Sequence, residues 1–295
     1  MTKAASPPVL AIVGGSGVYD MPGLTNTRWE RVESPFGSPS DELFFGDLDG
    51  QPLVFLPRHG RGHKIPPTDL NFRANIDALK RVGVTEIVSV SAVGSLRAEL
   101  SPGTFVIVNQ FIDRTFARAK SFFGPGLVAH VSMADPVCRR LGAHIDEAAR
   151  EAGIACLYGG TYLVMEGPQF STRAESELYR AWGADVIGMT NMPEAKLARE
   201  AEICYATVAM VTDYDCWHPD HDDVSVDAVI RVLVENASKA KALVRAVAPK
   251  LRHRRHPCDA GCHRALETAI ITPPEARDPV LAERLAAVAG RVLNR

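Results

Sequence analysis

Strand-length apolar runs, each closed by glycine or polar residues and separated by helix-periodic stretches, constrain this chain more than any other feature. VLAIVGG, from about residue 9, is continuous and β-branched, and EIVSVSAVG, TFVIVNQFID, CLYGGTYLVMEG, ADVIGM and YATVAMVTD read in the same way. A run that is apolar at every position has no wet face, so both sides of the sheet need covering. LFFGDLDGQPLVFLPRHG reads as a hairpin with Asp49-Gly50 at its turn. NFRANIDALKRVG carries Phe72, Ile76, Leu79 and Val82 at helical spacing and stops at Gly83. Further helices are expected over about 135–152, after the capping-box pattern Thr172 to Glu175, from Pro193, and from Ser225 to about 250. The alternation predicts one α/β domain over residues 1–251 with a mostly central sheet. Residues 252–295, with a basic cluster and two proline-containing breaks, read as a surface tail appended to that domain.

The balance of 33 basic against 35 acidic residues, net −2, gives no electrostatic reason for a nucleic acid or an anionic membrane as partner. No stretch of 18 apolar residues and no cleavage-site pattern occurs, so a cytoplasmic protein with a small-molecule partner is expected. Cysteines 138, 156, 204, 216, 258 and 262 are scattered, with only Cys258 and Cys262 close together, and most are expected reduced and buried. With His253, His256 and His263, that last pair could hold a metal or oxidise; a plain surface tail is preferred, and no metal is expected.

Open α/β sheets bind ligands beyond the carboxyl ends of their strands, and five such ends are polar here. Gly14-Gly15-Ser16-Gly17 lacks both the dinucleotide fingerprint and the P-loop lysine, leaving a tight turn or a small anion loop. Arg58 could fork onto an oxyanion and His59 could donate a ring N–H, whereas Arg61 and Lys64 read as solvated. Ser91-Ala92 offers a hydroxyl and backbone N–H groups without bulk, and Thr190 adds a donor where a strand passes into a helix. Met189 could lie against a ring or fill the core. The fifth end is VTDYDCW, in which Asp213 and Asp215 repel one another and burial lets one keep its proton. A protonated and an ionised carboxyl together match adenine's N7 acceptor and N6 donor, while a 6-oxopurine would present two acceptors there. A metal site reaching to His218, Asp220, His221, Asp222 and Asp223 is the alternative, with no recognised spacing.

GGSGVYD, PRHGRGHKIPP with NFRANIDAL, SAVGSLR, MEGPQFSTRAESELYR, GADVIGMTNMPEAKLAREAEICYA and VTDYDCW, in that order, resemble the trimeric purine nucleoside phosphorylases, most of all the branch acting on 5′-methylthioadenosine. The resemblance covers about residues 9–250 and implies a mixed, barrel-like central sheet flanked by helices, and a homotrimer. It implies phosphate held by Ser16, Arg58, His59, Ser91, Ala92 and Thr190, and purine and ribose held by Phe170, Met189, Asp213, Tyr214 and Asp215. Substrate preference falls to Ser171, Val226 and Val229, with His130 closing a neighbouring subunit's 5′ pocket. Serines 16 and 91 stand where many relatives have threonine, and the tail does not resemble the family's C-terminus. The implied reaction is phosphorolysis of S-methyl-5′-thioadenosine to adenine and 5-methylthioribose 1-phosphate, with Asp213 as general acid. It needs no cofactor beyond phosphate as co-substrate; the alternative is a purine nucleoside phosphorylase acting on adenosine or 6-oxopurine nucleosides.

Overall fold

In a computed structural model, residues 8–15, 17, 19–220, 224–252 and 258–294 are described. The expected Asp49-Gly50 hairpin forms between β3 (Leu43–Leu48) and β4 (Gln51–Pro57), with φ of 50° and 80° at the turn pair, the left-handed region that aspartate tolerates and glycine favours. An edge strand, β2 (Leu24–Glu30), was not foreseen, because its sequence LTNTRWE carries too few apolar residues to announce it; among the described residues it pairs only with β3.

The centre of the sheet is β5 (Val84–Ser95), which is buried along nearly its whole length. It runs parallel to β1 (Val9–Gly14) on one side and to β11 (Cys204–Asp213) on the other. Beyond Ser89 it loses β1, and only at Gly94 does it gain β10 (Val186–Gly188), now antiparallel. That exchange of neighbours splits the sheet into two lobes and gives it the expected mixed, barrel-like character. The far lobe continues from β10 to β9 (Thr161–Val164) and β7 (Gln110–Asp113), while β11 leads to β6 (Phe105–Val108) and β8 (Cys156–Tyr158). Two runs expected as single strands are therefore each broken in two. Gly159 and Gly160 hold φ of 98° and 131° between β8 and β9, so one chain segment serves both lobes.

Helices cover the sheet much as the periodicity requires. The first, α1 (Phe72–Arg81), is capped by Asn71 and ends before Gly83 at φ 84°; α2 spans Arg139–Glu151. The Thr172/Glu175 capping box opens α3 (Arg173–Ala181) as expected. Pro193 caps α4 (Glu194–Glu200) and is not its first residue, and α5 runs Val226–Arg252.

The chain beyond residue 252 is not a surface tail. Leu266, Ala269, Leu285, Val288 and Ala289 belong to the main hydrophobic core, and Cys258 and Cys262 to the second core, under α2 and α5. Short helices α6 (Pro279–Arg284) and α7 (Ala286–Leu293) finish the segment, and α7 packs against α1. The expectation failed because half of the segment's sequence is polar and its apolar residues are spaced by turns and not by one period.

Candidate active site

Where β5 has left β1 and not yet met β10, residues Val90–Val93 have no strand partner on that edge among the described residues. This is a switch point, the place where an open sheet presents backbone groups to a ligand. Arg58 stands at its base. Its guanidinium donates to the Val13 carbonyl on β1 (3.2 Å) and to the Val90 carbonyl on β5 (3.1 Å), bridging the two strands as they part. Successive residues of a strand direct their backbone groups to opposite edges, so with Val90 C=O in the gap, Ala92 N–H points there too. Ala92 can thus serve an anion through its backbone.

The guanidinium does not present the free fork expected from sequence. That fork closes on Glu194, Nε to Oε2 at 2.8 Å and Nη2 to Oε1 at 3.1 Å, with both side chains 2% exposed. The burial lowers and the Glu194 carboxylate raises its proton affinity, with a net rise, so it stays charged. Nor does His59 offer the expected donor. Its Nδ1 lies 2.9 Å from the Ile65 carbonyl, which can only accept, so the proton sits on Nδ1 and Nε2 is left as an acceptor. Burial, then the neighbouring Arg58 charge, pushes the imidazole down to about 4, so the ring is neutral at physiological pH.

Around Arg58 lies a hydroxyl and amide network that sequence reading missed. Asn191 Nδ2 has Ser89 Oγ (2.9 Å), Tyr205 OH (2.5 Å) and Thr207 Oγ1 (3.0 Å) within hydrogen-bond reach, three acceptors for its two amide protons, while its Oδ1 accepts from Ser91 (3.2 Å). Ser89 and Tyr205 in turn donate to Glu194 at 2.7 and 2.8 Å. Only the pairing of β5 with β11 makes these residues neighbours, and no local motif signals it. The Thr190 hydroxyl is buried yet makes no hydrogen bond of good geometry among the described residues, although the Tyr162 phenol is close by. A buried orphan donor beside an open strand edge is the arrangement an oxyanion would complete. Ser16, the remaining expected phosphate contact, lies outside the described residues.

At the far end of the gap, Asp213 closes β11 opposite Gly94 after an irregularity in register. Gly94 is required there. A Cβ would meet Asp213 Oδ1 at 2.9 Å, Ile187 at 3.1 Å and Asp215 Cβ at 3.3 Å, so its bare backbone is what seats the carboxyl. Asp213 accepts from Thr212 Oγ1 (2.7 Å) and from Asp215 N (2.8 Å), and burial outweighs both bonds to raise it to about 6. Asp215, 4% exposed and at φ 54°, accepts from Ser171 Oγ at 3.4 Å. The aromatics of VTDYDCW anchor the turn: Trp217 Nε1 donates to Ser95 O at 2.7 Å and Tyr214 OH to Ala98 O at 3.2 Å. The Tyr214 ring therefore belongs to a core cluster with Leu96 and Trp217 and leaves only its backbone for a ligand.

Met189 packs against Gly167, where an added Cβ would lie 2.5 Å from its sulfur, and its carbonyl accepts from Arg118 at 2.7 Å. Phe170 is 43% and Val226 61% exposed, with Val229 half-buried. Exposed His130 lies on a segment braced by the end of the chain: His130 N donates to Ala269 O and Ile271 N to Val128 O, each at 2.9 Å. Of the alternative metal ligands, His221, Asp222 and Asp223 fall outside the described residues.

The family model described as "Phosphorylase superfamily" matches residues 9–249. The chain is 66% identical over 294 residues to the S-methyl-5′-thioadenosine phosphorylase of Rhodospirillum rubrum, covering 100% of both, and 56% identical to that of Geobacter sulfurreducens, covering 96% of this chain and 98% of the other. The first match therefore includes the segment after residue 252 that had looked foreign to the family. Among solved structures, a methylthioadenosine phosphorylase from an antarctic soil metagenomic library superposes with a TM-score of 0.90 at 50% identity, covering 97% of this chain and 99% of that one. The methylthioadenosine phosphorylase of Schistosoma mansoni in complex with adenine gives 0.84 at 36% identity, covering 88% and 98%. The chain belongs to the phosphorylase superfamily and, within it, to the group formed by the S-methyl-5′-thioadenosine phosphorylases.

Proposed function

We propose that this protein cleaves the N-glycosidic bond of S-methyl-5′-thioadenosine with inorganic phosphate, giving adenine and 5-methylthioribose 1-phosphate. The observation that carries the reading is the gap in the sheet, with an anion-suited strand edge at one end and a buried carboxyl of raised proton affinity at the other.

Phosphate sits against Ala92 N–H and the hydroxyls of Ser91 and Thr190; Ser16, which the family resemblance adds to this set, lies outside the described residues. Arg58 acts from behind, as a fixed positive charge held by Glu194, and not as a two-pronged grip. Such a preorganised charge costs no reorganisation as the reaction proceeds. His59, neutral with its proton on Nδ1, accepts a hydrogen bond from a protonated phosphate oxygen through Nε2. The C1′–N9 bond breaks through a cationic sugar, a phosphate oxygen bonds to C1′, and Asp213 gives its proton to N7 so that adenine leaves neutral. Asp215 accepts from the exocyclic amine, and Ser171 orients it. Phe170 and Met189 supply apolar surface to base and sugar, and Val226 and Val229 to the 5′-methylthio group.

The active unit in this reading is a homotrimer in which a neighbour's His130 closes the 5′ pocket; the exposed rings of Phe116 (82%) and Phe170 support a subunit contact on this side of the molecule. No helix among the described residues is long and apolar enough to cross a membrane, and a cytoplasmic site of action fits that. The test is release of adenine or hypoxanthine from methylthioadenosine, adenosine and inosine, with and without phosphate. Adenine release that requires phosphate and favours methylthioadenosine is expected. Release in phosphate-free buffer would make the enzyme a hydrolase, and preference for inosine would overturn the role given to the two carboxyls.

A further inference from the structure

The cysteines that looked scattered in sequence converge in space. Cys138 caps α2, Cys204 opens β11, and Cys258 and Cys262 lie four apart across a turn in which Gly261 holds φ 73° and donates to the Cys258 carbonyl at 3.0 Å. All four are buried, and their sulfurs lie within 4.8 Å of one another, Cys138 and Cys258 at 3.5 Å. Four thiolates around one zinc ion, each about 2.3 Å from the metal, would stand about 3.8 Å apart, within that range.

We propose that these four cysteines form a structural tetrathiolate site for a thiophilic divalent cation, zinc by the softness and tetrahedral geometry of the donor set. Two features beyond the sulfurs point to bound anionic thiolates. Arg140 Nη2 lies 3.6 Å from Cys204 Sγ and Arg199 Nη1 3.8 Å from Cys262 Sγ, cationic N–H donors of the kind that orient metal-bound sulfur and offset its charge. Both arginines are themselves fixed, Arg140 by Glu86 at 2.6 Å and Arg199 by the Asp135 carbonyl. A cleft of about 240 Å³, lined among others by Asp135, Arg139, Arg199, Ala260 and Gly261, opens beside the turn that joins the last two cysteines. The site would tie the end of the chain to the sheet by joining two residues from within the main domain with two from beyond α5.

The test is elemental analysis of the full-length protein, purified without a metal-affinity tag or added chelator, together with titration of thiols in denaturant without reductant. About one zinc per chain is expected, displaceable by a mercurial and replaceable by cobalt with the intense sulfur-to-metal absorption of tetrahedral thiolate coordination. Cys258→Ser with Cys262→Ser should abolish binding. Should that variant not fold, mercurial release of zinc from the wild-type protein in step with loss of about four free thiols carries the same information. Six titratable thiols with no metal would overturn the proposal, as would only two titratable thiols, those of Cys156 and Cys216, together with a mass lowered by two disulfides' worth of hydrogen. Neither result bears on phosphorolysis, which uses none of the four.

Discussion

Replacing Asp213 by asparagine separates proton transfer from hydrogen bonding, because the amide can still donate to N7 but has no proton to give. A general acid contributes about a hundredfold or more, so that factor sets the loss where the wild-type carboxyl is fully protonated. With Asp213 at about 6 in the free protein, the acid form is nearly complete at about pH 5 and amounts to about one molecule in eleven at about pH 7. The ratio of wild-type to Asp213→Asn kcat/KM for methylthioadenosine should therefore be about a hundredfold near pH 5 and about tenfold near pH 7. Phosphate's own titration is common to both proteins and cancels in the ratio. The measurement is a pair of pH profiles of kcat/KM at saturating phosphate, with phosphate KM recorded alongside. A ratio that does not change with pH, or a phosphate KM that rises as far as the rate falls, would refute the general-acid role.

The same substitution should stabilise the fold. A carboxyl whose folded value is raised contributes stability below its unfolded value of 3.8, and that contribution is lost as pH rises toward about 6. Above that window Asp213→Asn should gain up to about 3 kcal/mol in denaturant unfolding, with no gain near pH 3. Gly94→Ala should keep the fold but displace the Asp213 carboxyl, cutting turnover with little change in melting temperature. Glu194→Ala leaves the Arg58 charge buried without its partner, which should cost about 3–5 kcal/mol and show as a large fall in urea midpoint. His59→Phe, which removes the Nε2 acceptor together with the Nδ1 hydrogen bond to the Ile65 carbonyl, should raise phosphate KM while leaving its pH dependence between about 5 and 8 unchanged, since the ring is already neutral there.

Much of the fold was legible because its signals are local. Continuous apolar runs named the buried strands, Asp49-Gly50 the hairpin and Thr172 with Glu175 a helix start, since each depends on neighbours in sequence. The carboxyl at 213 was legible for the same reason: a polar residue ends an otherwise apolar strand. What escaped depends on partners far along the chain. Arg58 was read as a free fork because Glu194 is 136 residues away, and Asn191 gave no sign that β5 and β11 would surround it with hydroxyls. The cysteine cluster escaped likewise, two of its members standing alone in apolar segments that read as ordinary core.

The family model ends at residue 249, yet the hydrophobic core draws on residues well beyond it. Leu266, Leu285 and Val288 fill the space beside α1, and Ala269 and Ile271 hold the backbone on either side of Ala129. A recombinant fragment cut at the recognised boundary would bare that apolar surface and release the loop bearing His130. Expression trials that trim to residues 9–249 should therefore yield aggregates, and a tag placed at the C-terminus should be given a spacer.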